Sequence, residues 1–309
     1  MSASFKIYTD ESLIDVDEED FVPLALHQYS NDANLDTRKT EIKKVDYLSA
    51  ESGICCQSVM DTCKAPLKDI ACEKGTNHSN VKDLNSLSVL DLPSSYQNDD
   101  MISLIKSAAD LAVLIQVPWA KTALFCQGTG KVDDVYIFKE NTKCRCCKCR
   151  ASEHPSATWG KVLIATSTNL LTASSKVSDI KCTFFYDNDE TMHHVKHLQG
   201  DAYVSNMQGV CKFFAYTCDV ELLEKLESYL DIFSEKWIVA YDKYSTTVKS
   251  VEDRLLIMVS HPHSCKKHVY IGKWTKLRPY VQFDATTCPG CEGSFLLIPN
   301  FDIFDEDFS

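Results

Sequence analysis

Four cysteines within six residues are the most concentrated set of reactive side chains in the sequence. Cys144, Cys146, Cys147 and Cys149 stand among lysine and arginine residues. Nearby cations lower the pKa of a thiol and favour the thiolate, the form that binds metals and reacts with oxidants. The segment therefore indicates a metal site. A reduced cysteine-rich loop and a redox sensor are the alternative interpretations.

The spacing of these thiols limits the kind of metal site that they can form. Paired zinc ligands are usually separated by about two to four residues, so four thiols in one short loop should not all reach one tetrahedral ion without strain. If zinc binds, we expect Cys149 and at least one of Cys144 and Cys146 to be ligands. The other ligands must then come from distant positions, for which the candidates are Cys126, His154, Cys211 and Cys218.

The chain of 309 residues has the composition of an ordinary globular protein, with 44% hydrophobic and 25% charged residues. No run of about 18 apolar residues is present, so no membrane span and no membrane partner are predicted. The first residues lack the apolar core of a signal peptide. This predicts an intracellular protein, cytoplasmic or nuclear, whose fifteen cysteines are free thiols or metal ligands.

The net charge of −12 is concentrated in the first part of the chain. Residues 1–100 contain 19 acidic and nine basic residues. An acidic field repels phosphate backbones, so no nucleic-acid partner is expected. Residues 1–98 also lack a sustained hydrophobic period, and we predict a largely disordered acidic region there.

Beyond residue 98 the pattern predicts an all-β protein. Helices are predicted from Asp99 onward and over residues 220–233. The remaining segments are short, rich in β-branched and aromatic residues and separated by turns, as in residues 237–241, which is typical of a barrel or sandwich. The second helix divides these segments into two groups, so we predict a first barrel over residues 99–230 and a second over residues 231–309. The core positions expected to be buried are Leu163, Phe184, Phe214, Ile257 and Leu296.

Three segments resemble the catalytic motifs of trypsin-like serine proteases, in the chain order of that family. The segment LLTASSKV resembles the strand before the catalytic histidine, whose position falls on Ser175. TCDVELL resembles the stretch with the catalytic aspartate, kept as Asp219, and TCPGCEGS resembles the nucleophile loop, with Glu292 at the serine position. The hairpin at residues 260–274 also resembles intracellular trypsin-like proteins. The likeness is closest to a group of invertebrate proteins with a cysteine-rich patch.

This resemblance implies a double β-barrel without catalysis. In the family a histidine takes the proton of a serine hydroxyl, an aspartate orients the histidine, and backbone amides hold the oxyanion. Ser175 has no basic form near neutral pH. Glu292 attacks peptides poorly, and its charge opposes an oxyanion at the loop formed by Gly290, Cys291 and Glu292. We therefore expect an inactive homologue.

The resemblance also implies a truncated second barrel, because only 17 residues follow Glu292 and the family places two more strands there. An open strand edge invites a partner. We expect an interaction or regulatory module that binds a protein or peptide. The alternative is a peptidase-like hydrolase of altered chemistry, with Cys291 as the nucleophile or a metal at the cysteine-rich loop.

Overall fold

The computed structural model describes residues 55–58, 81–118, 124–139, 143–171, 176–187, 196–207, 209–245, 254–277, 281–285, 287–299 and 301. In chain order the strands are β1 (Cys55–Ser58), β2 (Val81–Asp83), β3 (Ala112–Pro118), β4 (Leu124–Lys139), β5 (Thr158–Ser167), β6 (Lys181–Phe184), β7 (Lys196–Met207), β8 (Val210–Thr217), β9 (Leu255–Ser260), β10 (His268–Lys276), β11 (Gln282–Phe283) and β12 (Phe295–Leu297). The helices are α1 (Asp99–Leu111), α2 (Cys147–Arg150), α3 (Thr168–Leu171) and α4 (Val220–Tyr244).

Six consecutive strands close into an antiparallel barrel. The order is β4-β3-β6-β7-β8-β5, and β5 pairs back onto β4. Alternate residues of β8 are buried, among them Cys211, Phe213 and Ala215, because successive side chains of a strand point to opposite faces. Closure removes the free edges of the sheet. The prediction of a mostly β protein with a first barrel is therefore confirmed.

The strands after α4 form a second sheet. β9 lies between β10 and β12, and β2 and β11 both pair with β10. Among the strands that the structure describes, no pairing joins β12 to β2 or β11. The truncated second barrel remains a prediction.

Ordered structure is present before the predicted boundary at residue 98. β2 pairs with β10, Leu92 and Tyr96 are buried, and the Tyr96 ring lies 4.7 Å from the Tyr244 ring between centroids. Disorder was therefore the wrong prediction for residues 81–98. After β2 these residues form short 3-10 turns, which bury apolar side chains without a helical or strand period. The rest of the predicted acidic region lies outside the described residues, apart from β1.

α4 is longer than predicted and crosses the expected boundary at residues 230 and 231. The Asp219 carboxylate caps its first turn, and its buried side chains include Phe233, Trp237, Ala240 and Tyr244. This spacing of four, three and four residues is helical. The predicted strand at residues 237–241 is therefore wrong. None of the described helices is long and apolar enough to cross a membrane.

Four of the five predicted core positions are buried, namely Leu163, Phe184, Ile257 and Leu296. Phe214 is only partly buried, because its neighbours Phe213 and Ala215 hold the inward positions of β8. On the outer face of the barrel, the Phe214 ring covers the Lys161 ammonium at 4.2 Å from its centroid.

Candidate metal centre

Four thiols from two parts of the chain meet beside the end of β8. Cys144, Cys146 and Cys149 belong to the loop between β4 and β5, and Cys218 follows β8 directly. Their four Sγ atoms all lie within 4.8 Å of one another, and the Sγ atoms of Cys146 and Cys218 are 3.7 Å apart. A tetrahedral ion at about 2.3 Å from each sulfur would separate the sulfurs by about 3.8 Å. These four cysteines can therefore hold a metal ion.

The loop contributes three of these thiols, since both Cys144 and Cys146 join Cys149. The reason is the short helix α2, which has Cys146 as its N-cap residue. A helical turn places Cys146 and Cys149 on the same side, since residues three apart are neighbours on a helix. Cys144 joins them, and its Sγ accepts a hydrogen bond from the Cys146 amide at 3.4 Å.

Only one of the four distant candidates belongs to the cluster, and it is Cys218. Cys126 and Cys211 are buried in the main hydrophobic core, and burial raises the pKa of Cys211 to about 12. His154 is exposed, as is Cys147 within the loop itself. Neither of these exposed residues belongs to the set of four.

The thiols share hydrogen bonds that favour a thiolate at one position. Burial alone would raise the pKa of Cys146, but hydrogen bonds from the Cys149 backbone and from the neighbouring thiols bring that pKa below its ordinary value. Burial and the hydrogen bonds to neighbouring thiols raise the pKa of Cys144, and they raise the pKa of Cys218 to about 11. These contacts favour the thiolate at Cys146 relative to Cys144 and Cys218, which would lose their protons to an arriving metal.

Apolar and amide groups surround the sulfurs. Cys144, Cys146 and Cys149 pack in one cluster with Trp159, whose ring stacks on Phe138 at a centroid distance of 4.5 Å. The Ser156 amide also donates a hydrogen bond to Cys149 Sγ at 3.4 Å. Apolar neighbours and amide donors both stabilise metal-bound thiolates and hold them in place.

Asp219, the predicted aspartate of the triad, lies next to this cluster. Its carboxylate accepts a hydrogen bond from the Leu222 amide at 3.1 Å and forms an ion pair with Lys196 Nζ at 2.8 Å. Burial would raise the pKa of Asp219, but the bonds to Lys196 and Leu222 hold that pKa below its usual value. The Asp219 carboxylate therefore caps the first turn of α4.

Glu292, at the predicted serine position, lies in a buried turn before β12. Its backbone carbonyl accepts a hydrogen bond from the Thr129 amide at 2.7 Å, and the Thr129 hydroxyl donates to the Gly290 carbonyl at 2.9 Å. The His261 amide in turn donates to the Thr129 hydroxyl oxygen. The side chain of Glu292 is 2% exposed. The predicted oxyanion loop is thus packed against β4.

The structure does not bring Asp219 and Glu292 together. Asp219 stands two residues after Thr217, which pairs with Gly160 at the start of β5. Glu292 is followed by Gly293, which lies against Ser167 at the end of β5. Seven strand residues at about 3.3 Å each put roughly 20 Å between these two ends. Ser175 lies outside the described residues.

Cys291, the alternative nucleophile, is completely buried. Its Sγ lies 3.3 Å from the Ser260 hydroxyl, and burial raises its pKa. The neighbouring His261 is also buried, and its Nδ1 lies 2.9 Å from the Cys265 carbonyl oxygen. Burial lowers the pKa of His261 to about 3.

No protein-family model matches the chain, and no curated protein matches it. Among solved structures, the chain is similar to the active form of the Rv3671c protease from M. tuberculosis, with a TM-score of 0.32 and 10% sequence identity. The similarity covers 64% of this chain and 69% of that one. The description of the fold therefore depends on the strand pairings of the closed barrel and not on this similarity.

Proposed function

We propose that this chain is a non-catalytic binding protein, built on a trypsin-like barrel and stabilised by a zinc ion at Cys144, Cys146, Cys149 and Cys218. The observation that carries the metal assignment is the meeting of four Sγ atoms within 4.8 Å of one another, two of them at 3.7 Å, which is close to the separation in a tetrahedral sulfur site. The thiols come from a loop and from the residue that follows β8, so a bound ion would tie these two parts together.

Zinc is the ion that this ligand set favours. Four thiolate ligands in a tetrahedron select zinc or iron among the common metals. A closed set of four protein ligands leaves no position for water or substrate, which is the arrangement of structural zinc sites. The role that we propose for the ion is therefore to hold the loop in place.

The absence of catalysis is supported by the surroundings of the triad positions. Glu292 has a buried side chain, and Asp219 is engaged in a helix cap and an ion pair far from it. A nucleophilic cysteine needs a lowered pKa and access to substrate, and Cys291 has neither. Motif resemblance and site geometry thus favour a binding role over hydrolysis.

Elemental analysis of protein purified under reducing conditions tests the metal centre. We expect one zinc ion per chain and a lower melting temperature after treatment with a chelator. An iron centre would be recognised by its visible absorption. Protein without metal, whose melting temperature does not change in chelator, would contradict the proposal.

The absence of catalysis has its own test. We expect no turnover of casein or small esters and no labelling by serine-directed probes. Thiol-directed probes should not label Cys291. Turnover that is lost in a Cys291→Ala variant would show that the chain is an enzyme.

A further inference from the structure

A cavity of 610 Å³ opens beside the metal centre, between two strands that diverge. The pairing of β7 with β8 ends at Gly200 and Ala215, although β7 begins at Lys196 and β8 continues to Thr217. The ends of these two strands form facing walls, and Cys146 and Cys218 of the metal centre form part of the lining. The barrel therefore has a gap at this end, wide enough for a ligand.

The rim of the cavity is basic. Arg145, Lys148 and Arg150 are exposed side chains of the cysteine-rich loop, and they line the cavity with Lys196. Asp219 is the one carboxylate among these lining residues, and it pairs with Lys196. Zinc with four thiolates would carry a formal charge of about −2, but the thiols of the loop are buried, whereas Arg145, Lys148 and Arg150 are exposed. A ligand that approaches from solvent thus meets positive charge.

The other walls are suited to an extended chain. Leu198, Tyr216 and Leu222 provide apolar surface, and the β7 backbone at residues 196–200 runs along one side of the cavity. Extended peptides commonly bind by lying along a strand, with main-chain contacts for affinity and side-chain contacts for specificity. Carboxylate side chains of such a peptide would reach Arg145, Lys148 and Arg150.

We propose that this cavity binds an extended peptide rich in aspartate and glutamate, presented by a protein partner. The inference deepens the proposed binding function and names the chemistry of its ligand. A short peptide is favoured over a nucleic acid because the cations that would bind it line one cavity, whereas a polyanion that extends beyond the cavity meets the net charge of −12 of the whole chain. The volume of the cavity also lies within the range of pockets that bind small ligands.

The test is a fluorescence-anisotropy titration of the purified full chain with fluorescein-labelled hexaglutamate. Hexalysine and an oligothymidylate with the same label serve as comparison ligands. We expect hexaglutamate to bind and its affinity to fall as salt is raised. Lys148→Glu and Arg150→Glu should each weaken binding by about tenfold. Lys106→Glu makes the same charge change as Lys148→Glu at an exposed position of α1, away from the cavity, and should have no effect.

Thermal melts of each variant establish that it is folded, and Lys148→Gln provides a milder change at the same position. Equal affinity of the wild type and both charge-reversed variants would overturn the proposal, as would tighter binding of the oligothymidylate than of hexaglutamate. The metal content of the same preparations separates the two proposals. Peptide binding without zinc would reject only the zinc centre, and zinc without peptide binding would reject only the acidic ligand.

Discussion

Replacement of Cys218 by serine tests the centre at the ligand that joins the loop to the rest of the fold. Cys149 and Cys218 are 69 positions apart, so a metal that links them closes a loop of about 70 residues. The loop-entropy relation used for cross-links gives about 4 kcal/mol for a loop of this length. For a domain of this size each kcal/mol changes the melting temperature by about 2–4 °C. We therefore expect Cys218→Ser to lower the melting temperature by roughly 10 °C.

The measurement is calorimetric melting of reduced protein, combined with zinc analysis of the same samples. Cys147→Ser is the matched control, because Cys147 lies in the same loop but is exposed and outside the set of four thiols. The control should keep both its zinc and its melting temperature. A Cys218→Ser protein with full zinc content and the melting temperature of the wild type would refute the assignment of this ligand.

Three further predictions concern the fold around the sites. The folded-state pKa of His261, about 3, is below its ordinary value of 6.5. The free energy of unfolding should therefore fall as pH drops from 6.5 towards 3, by at most about 1.4 kcal/mol per pH unit. Urea titrations at several pH values should show a smaller pH dependence of this free energy for His261→Asn. Gly293→Ala should cost at least about 2 kcal/mol, because Gly293 has a φ of +75° and a Cβ there would lie 2.2 Å from the Thr129 carbonyl oxygen. A wild-type melting temperature for that variant would contradict the packing of this turn. Phe213→Ala should cost about 3–5 kcal/mol and Phe214→Ala clearly less, and the reverse order would mean that the direction of β8 is wrong.

Sequence patterns predicted which segments are strands better than they predicted which face of a strand is buried. In β8 the adjacent aromatic residues Phe213 and Phe214 give no clear alternation, so the choice of inward position was open. Residues 237–241 contain Ile238 and Val239, which favour strands, yet they belong to α4. Packing of Trp237 and Ala240 at helical spacing decides the outcome, since tertiary contacts override local propensity.

The loop half of the metal site could be predicted from the sequence, but its distant ligand could not be singled out. Cys218 reaches the loop because β8 pairs with β5, and that pairing brings Thr217 opposite Gly160. No local signal in the sequence encodes such a long-range register. The triad positions show the same limit, because a motif places Asp219 and Glu292 along the chain but does not say which end of β5 each one reaches.

The hydrogen bonds of Thr129 affect how the molecule unfolds. Its amide and hydroxyl in the first barrel hold the turn of Gly290 and Glu292, and the amide of His261 after β9 binds the same hydroxyl. Separation of the second sheet would leave these buried groups without partners, which is costly in an apolar interior. The barrel and the second sheet should therefore exchange their amide protons as one cooperative unit. A fragment that ends before β9 would lack part of its own core.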